Sequence, residues 1–259
     1  MFRYRTRNVW GTATAIVVVT SVALLLVVAR AGPAGANSYT TIMPPPVGED
    51  SHLDIFSSVY AAYGGTFVAN GLDFENAGAG ISARRVWDTD DGDDTIHVFL
   101  GDETGVDQIW TDGTAMVTAS AKFADLSQSF GWNDNGGATG SGYVELLTEA
   151  DIGGPSVDIM IMGDFLWGIQ PNGDEWWSAI DQNSDTTDHL ITYYVEGLPD
   201  AAPGEAVWLL FWEDLPDAGD ADYNDFVVEL RAIPEPSAFL LVGGGLTALA
   251  AIRRRRSRA

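Results

Sequence analysis

Between Leu190 and Arg231 the apolar residues recur with a period of two, and that period constrains the fold more than any other feature of the 259-residue chain. Ile191, Tyr193 and Val195 alternate with Thr192, Tyr194 and Glu196, and Phe226, Val228 and Leu230 alternate in the same way. Successive side chains of a strand point to opposite faces, so the pattern predicts strands over 190–196 and 225–231. Residues 207–212 are continuously apolar, as in a strand covered on both faces. Further strands are expected over 81–87, 95–100, 108–111, 114–121, 157–162 and 165–170. Asp112-Gly113, between two of these, is the signature of a two-residue hairpin. Upstream, Leu53, Ile55, Phe56, Val59 and Tyr60 fall at helical spacing, which predicts a short helix over 51–60 stopped by Gly64 and Gly65. Pro44, Pro45 and Pro46 mark 37–50 as a linker. No repeat and no further boundary appears within 51–232. The expected fold is all-β: an antiparallel, jelly-roll-like β-sandwich over 51–232, with a short N-terminal helix and apolar helices at both chain ends.

Charge narrows the function. Residues 37–232 carry 36 acidic side chains and only four basic ones: Arg84, Arg85, Lys122 and Arg231. Phosphate would be repelled, which excludes nucleic acid as a partner. The absence of cysteine excludes a disulfide scaffold and a thiol enzyme. Eight of the nine tryptophans lie in this segment, far too apolar a content for disorder.

The ends read as addresses. Residues 1–36 hold Arg3, Arg5, Arg7 and Arg30 and no acid, with an apolar run over 13–29 ahead of Ala34-Gly35-Ala36. That is the layout of a secretory signal peptide cleaved after Ala36, with Ala34 and Ala36 as the small residues at the cut; a retained anchor is the alternative. At the other end, Pro234, Glu235 and Pro236 precede an apolar run over 238–252 and the block Arg253, Arg254, Arg255, Arg256. As a helix the run is about 22 Å long, short of a hydrocarbon core of about 30 Å. The order of these parts resembles the PEP-CTERM sorting signal of bacterial envelope proteins. The resemblance implies transient handling by a membrane exosortase, removal of 233–259, and a cell that exports polysaccharide. An ordinary tail anchor is the alternative.

The strongest local motif is the acidic stretch 211–226. An apolar strand ends at Glu213 and Asp214; after a loop holding Asp217 come Asp220, Asp222, Asn224 and Asp225, then another strand. Carboxylates brought this close repel one another, and a hard cation relieves the repulsion. Calcium takes six to eight oxygens in irregular loops, so Glu213, Asp214, Asp220, Asp222, Asn224 and Asp225 form a candidate calcium site. It is no EF-hand: Asp225 stands at the sixth position and Arg231 at the twelfth. The alternative is a solvated turn in which Asp and Asn act as turn formers. The stretch resembles the signature of a domain-of-unknown-function family of bacterial surface and matrix proteins, in which a Phe/Trp-Glu-Asp-Leu run precedes Asp-x-Asp-Tyr-Asn-Asp. Residues 107–113 and 188–193 resemble other stretches of such proteins. The resemblance implies a β-rich secreted module with suspected calcium binding and no established catalytic activity.

Asp88, Asp90, Asp91, Asp93 and Asp94 form a second candidate metal site, or a solvated acidic loop. His52, His97 and His189 show no metal-ligand spacing, and a hydrogen-bonded structural role is expected for His189. Trp132, Trp167, Trp176 and Trp177 sit beside Gly, Asn and Asp, so they are candidate sugar contacts, with core packing as the alternative. Trp208, Trp212, Trp87 and Trp110 are expected in the core. No nucleophile elbow or triad order occurs. These features together favour a non-enzymatic, exported envelope or matrix protein with a calcium-stabilised domain in a structural or adhesive role. A carbohydrate-binding module for extracellular polysaccharide is the second reading; a glycoside hydrolase or lyase is the remote third.

Overall fold

The computed structural model describes residues 39–87, 95–97, 107–133 and 142–232. The first element is the expected helix, α1 (His52–Val59). Ser51 caps it: its hydroxyl accepts the Asp54 N–H, and the Asp54 carboxylate accepts the Ser51 N–H in return. After one tight turn at Ala61–Tyr63, Gly64 takes φ 71° and ends the helical path.

Twelve strands follow: β1 (Val68–Asn70), β2 (Asp73–Asn76), β3 (Ile81–Arg85), β4 (Thr95–His97), β5 (Ile109–Lys122), β6 (Ser129–Asn133), β7 (Tyr143–Thr148), β8 (Val157–Ile169), β9 (Trp176–Trp177), β10 (Leu190–Glu196), β11 (Ala206–Trp212) and β12 (Phe226–Ala232). They join in one mostly antiparallel sheet in the order β1-β2-β3-β10-β11-β12-β5-β8-β6-β7. β4 runs parallel beside β5, and β9 pairs with β8.

β11 explains the apolar run over 207–212. All seven of its residues are buried, and alternate ones enter two different cores. Trp208, Leu210 and Trp212 join Trp110, Phe130 and Trp167 on one side. Val207, Leu209 and Phe211 face Phe56 of α1, Tyr193 and Tyr223 on the other. Phe56 meets Tyr193 and Phe211 at ring-centroid distances of 5.2 and 5.6 Å. Each large side chain buried this way contributes about 1.5–3 kcal/mol, so the two faces of one strand tie the whole sheet together.

Two expectations fail. The Asp112-Gly113 hairpin does not form; β5 runs straight through it, because both halves pair with the same neighbour, β8. The irregularity lies in β8 instead, where Thr111↔Asp164 gives way to Gly113↔Ile161 and Gly163 takes φ 82°. The strands expected over 157–162 and 165–170 are likewise one. The other failure is the linker. Residues 39–50 lie on the domain: Tyr39 stacks on Trp87 at 4.4 Å, Thr40 donates to Asp188 at 2.6 Å, and the Met43 N–H donates to the Ala221 carbonyl at 2.8 Å. The signal and sorting segments lie outside the described residues, with Ala34, Ala36, Pro234, Glu235, Pro236, Arg253, Arg254, Arg255 and Arg256. Among the described residues no helix is long and apolar enough to cross a membrane.

Candidate metal centre

β11 and β12 pair antiparallel up to Trp212↔Phe226, so the connection 213–225 must start and finish at the same corner. The Asp225 N–H donates to the Trp212 carbonyl at 3.1 Å, and the Asp214 N–H donates to Asp225 Oδ2 at 2.8 Å. Register thus brings Glu213, Asp214 and Asp225 together, with one oxygen from each within 4.8 Å of the others. Their exposures are 0, 3 and 8 %, so water does little to screen them. Two charges 4 Å apart repel by about 4 kcal/mol at an effective dielectric of 20. Burial, then the neighbouring Asp225 charge, pushes the Glu213 carboxyl up to about 9 and Asp214 up to about 7. Asp225 is raised as well, first by its own burial.

Among the described residues no basic side chain pairs directly with this corner. Arg84 pairs with Glu196 and Arg231 with Glu229, while Arg85 lies over the Tyr39 ring. Lys122 opposes the rise at Asp214 but is itself ion-paired to Glu149. Gln128 Oε1 is buried at the corner with no hydrogen-bond partner, while the raised Glu213 carboxyl shares a hydrogen bond with Asp225. Gln128 belongs to the centre because its Nε2 donates to Asp214 Oδ2. A lone glutamine between two strands carries no signal in the sequence, and its role was not expected. The three carboxylates offer only oxygen, the donor type that hard cations take.

The backbone behind the site is held by aromatic and imidazole groups. His189 Nδ1–H donates to the Glu213 carbonyl at 2.9 Å, and its Nε2 meets Asp185 at 3.0 Å. Trp176 stacks flat on His189 at 4.2 Å and donates Nε1–H to the Asp214 carbonyl at 2.8 Å. Burial favours a higher Asp185 pKa, but the Thr187 and Asp217 N–H groups and His189 hold it below the usual carboxylate range. Burial drives the His52 imidazole down to about 3, so it is neutral; it donates Nε2–H to the Asp222 carbonyl at 2.9 Å and meets Tyr193 at 3.1 Å. His52 and His189 are therefore clamps on the loop. The side chain of His97 lies outside the described set.

No family model matches the chain, and no curated protein matches it. What the chain does must therefore be read from its own residues.

The six expected ligands do not form one shell. Asp220 and Asp222 gather with Glu49 instead, and Asn224 turns its Nδ2 to the Asp50 carbonyl. The second acidic run, Asp88, Asp90, Asp91, Asp93 and Asp94, lies outside the described residues. The expected sugar contacts are corrected for three of four tryptophans. Trp167, Trp176 and Trp177 are buried: Trp167 stacks with Phe130, Trp176 stacks on His189, and Trp177 packs with Leu166 and lies at a steep angle to Tyr143. Trp132 is half-buried and packs on the core with its edge against Phe165. Of the tryptophans expected in the core, Trp110, Trp208 and Trp212 are fully buried, whereas Trp87 is only half-buried, stacked with Tyr39.

Gly219 offers a sharp test. A Cβ there would lie 2.6 Å from Glu213 Oε1 and 2.6 Å from Leu215 Cβ. Gly219→Ala is expected to weaken calcium binding at least tenfold and to destabilise by about 1–3 kcal/mol. Gly153→Ala is the control: its φ is also positive, 72°, but its Cβ meets nothing within 4 Å. Calorimetric titration should register the calcium defect in the first variant alone.

Proposed function

We propose that the chain is an exported, exosortase-processed protein of a bacterial cell envelope or extracellular matrix, structural or adhesive in role, whose β-domain is stabilised by calcium at Glu213, Asp214 and Asp225. One observation carries the calcium reading: three buried carboxylates share a corner, and the one basic side chain of 37–232 that offsets their charge, Lys122, is itself paired with Glu149. The ordering of β11 and its two cores supports reading the sheet as a jelly-roll-like β-sandwich. Export and processing rest on the terminal segments alone. With cysteine absent, a bound ion takes the place of a disulfide as the cross-link between strand ends.

The calcium reading is tested by calorimetric titration of the full chain with calcium chloride. Wild type binds, and Asp225→Ala loses the corner site; equal binding by the two chains refutes the assignment. Sorting is tested separately. Deleting 234–259 is expected to send unprocessed protein to the periplasm or medium, and fractionation showing unchanged envelope retention rejects it.

A further inference from the structure

Glu49, Asp220 and Asp222 bring one oxygen each within 4.8 Å of one another, a group that shares no residue with the corner, although Asp225 feels the Asp220 charge and Asp222 the Asp225 charge across the two. Glu49 lies ahead of α1, in the segment that crosses the loop. We propose that these three side chains form a second calcium site, whose ion fastens residues 39–50 to the 213–225 loop. The inference rests on the calcium reading only in naming the same ion for both groups.

Acidic side chains on a surface are usually just solvated, so the cluster alone would indicate nothing. What points to a ligand is the buried part of it. Asp222 is 1 % exposed; its Oδ1 accepts the Asn224 N–H at 3.2 Å, while its Oδ2 is buried with no hydrogen-bond partner. Asn224, also 1 % exposed, donates Nδ2 to the Asp50 carbonyl at 3.0 Å, and its Oδ1 is likewise buried without a partner. A buried acceptor left unsatisfied costs about 1–3 kcal/mol, more when charged. A hard cation satisfies such oxygens without demanding a fixed geometry.

Neutral contacts also hold the loop in place. His52 Nε2–H donates to the Asp222 carbonyl, and the Met43 N–H donates to the Ala221 carbonyl. The first holds the loop to α1 and the second holds it to the segment, but neither neutralises charge. The ion fastens the loop to the segment and neutralises charge as well. Residues 42–45 also form one wall of a cleft of about 380 Å³ whose other walls include Leu53, Phe74 and Tyr193. Loss of the ion therefore loosens that wall, and calcium level sets whether the cleft keeps its shape.

The test is equilibrium dialysis of the full chain against calcium chloride, with amide hydrogen exchange at Met43 as a second readout. Wild type is expected to hold two ions per chain, and Glu49→Gln, Asp220→Asn and Asp225→Asn one each. At saturating calcium, Met43 exchange is expected to rise at least tenfold in Glu49→Gln but not in Asp225→Asn. Asp220 is exposed, so its variant decides the matter if Glu49→Gln does not fold. A wild-type ion count that stays unchanged in both Glu49→Gln and Asp220→Asn overturns the second site and leaves the corner reading intact. Two ions in Asp225→Asn with one in Glu49→Gln sinks the corner reading alone. No ion in wild type removes both.

Discussion

Stripping calcium with a chelator is expected to lower the melting temperature of the full chain by roughly 5–10 °C at pH 7.5, and returning calcium to restore it. An ion at a hundredfold excess over its Kd stabilises the native state by about 2.7 kcal/mol. For a domain of this size each kcal/mol moves the midpoint by about 2–4 °C. The effect depends on pH in a defined direction. In the ion-free protein, the folded-state pKa is raised to about 9 at Glu213 and to about 7 at Asp214 and Asp222. The native state therefore binds more protons than the unfolded chain at any pH between the ordinary carboxyl range and those values. Stability is greatest below that range and falls as pH rises through 7 towards 9. Calcium must displace those protons, so its affinity climbs over the same interval. The gap between calcium and chelator melting curves should widen from pH 5 to pH 9. Superimposable curves across that range would exclude the ion.

Trp176→Ala is expected to cost about 3–5 kcal/mol in urea unfolding and to lower calcium affinity at least tenfold. The indole is 4 % exposed, and it touches the site twice. It lies flat on His189, which donates to the Glu213 carbonyl, and its own N–H holds the Asp214 carbonyl. Trp176→Phe separates packing from hydrogen bonding. Phenylalanine keeps a ring against His189 but leaves the Asp214 carbonyl without its donor, at a cost of about 1–3 kcal/mol. If Trp176→Phe matched wild type in both stability and calcium affinity, the indole N–H would not be positioning the site.

The strands that the sequence disclosed best are those whose burial is unambiguous. Residues 190–196 form β10 as expected, and 206–212 and 226–232 differ from expectation by a residue at their ends. β6 and β7 were invisible because Gly131 interrupts one and Glu145 lies amid apolar residues in the other. Gly131 is there for space: a Cβ would come within 2.3 Å of the Val144 carbonyl oxygen across the pair. Asp112-Gly113 misled because turn chemistry is local, whereas a strand continues wherever its neighbour does. At the site, Glu213, Asp214 and Asp225 were legible since strand ends on either side of one loop must meet. Gln128 and Glu49 were not, because no local pattern announces which distant segment will fold over a loop. The tryptophans misled for a related reason: Gly, Asn and Asp beside Trp176 mark the turn, not the exposure of the ring it carries.

β12 lies between β11 and β5, in register with seven residues of each. Its leading end adjoins the loop on which residues 39–50 rest, and its trailing end is Ala232. A pull applied along β12, from Phe226 to Ala232, would act parallel to both of its neighbours. Interstrand bonds of antiparallel neighbours stand perpendicular to it. Such a pull loads both ladders in shear all at once instead of peeling them open pair by pair. A strand held on both sides in this way resists such a pull until both ladders give.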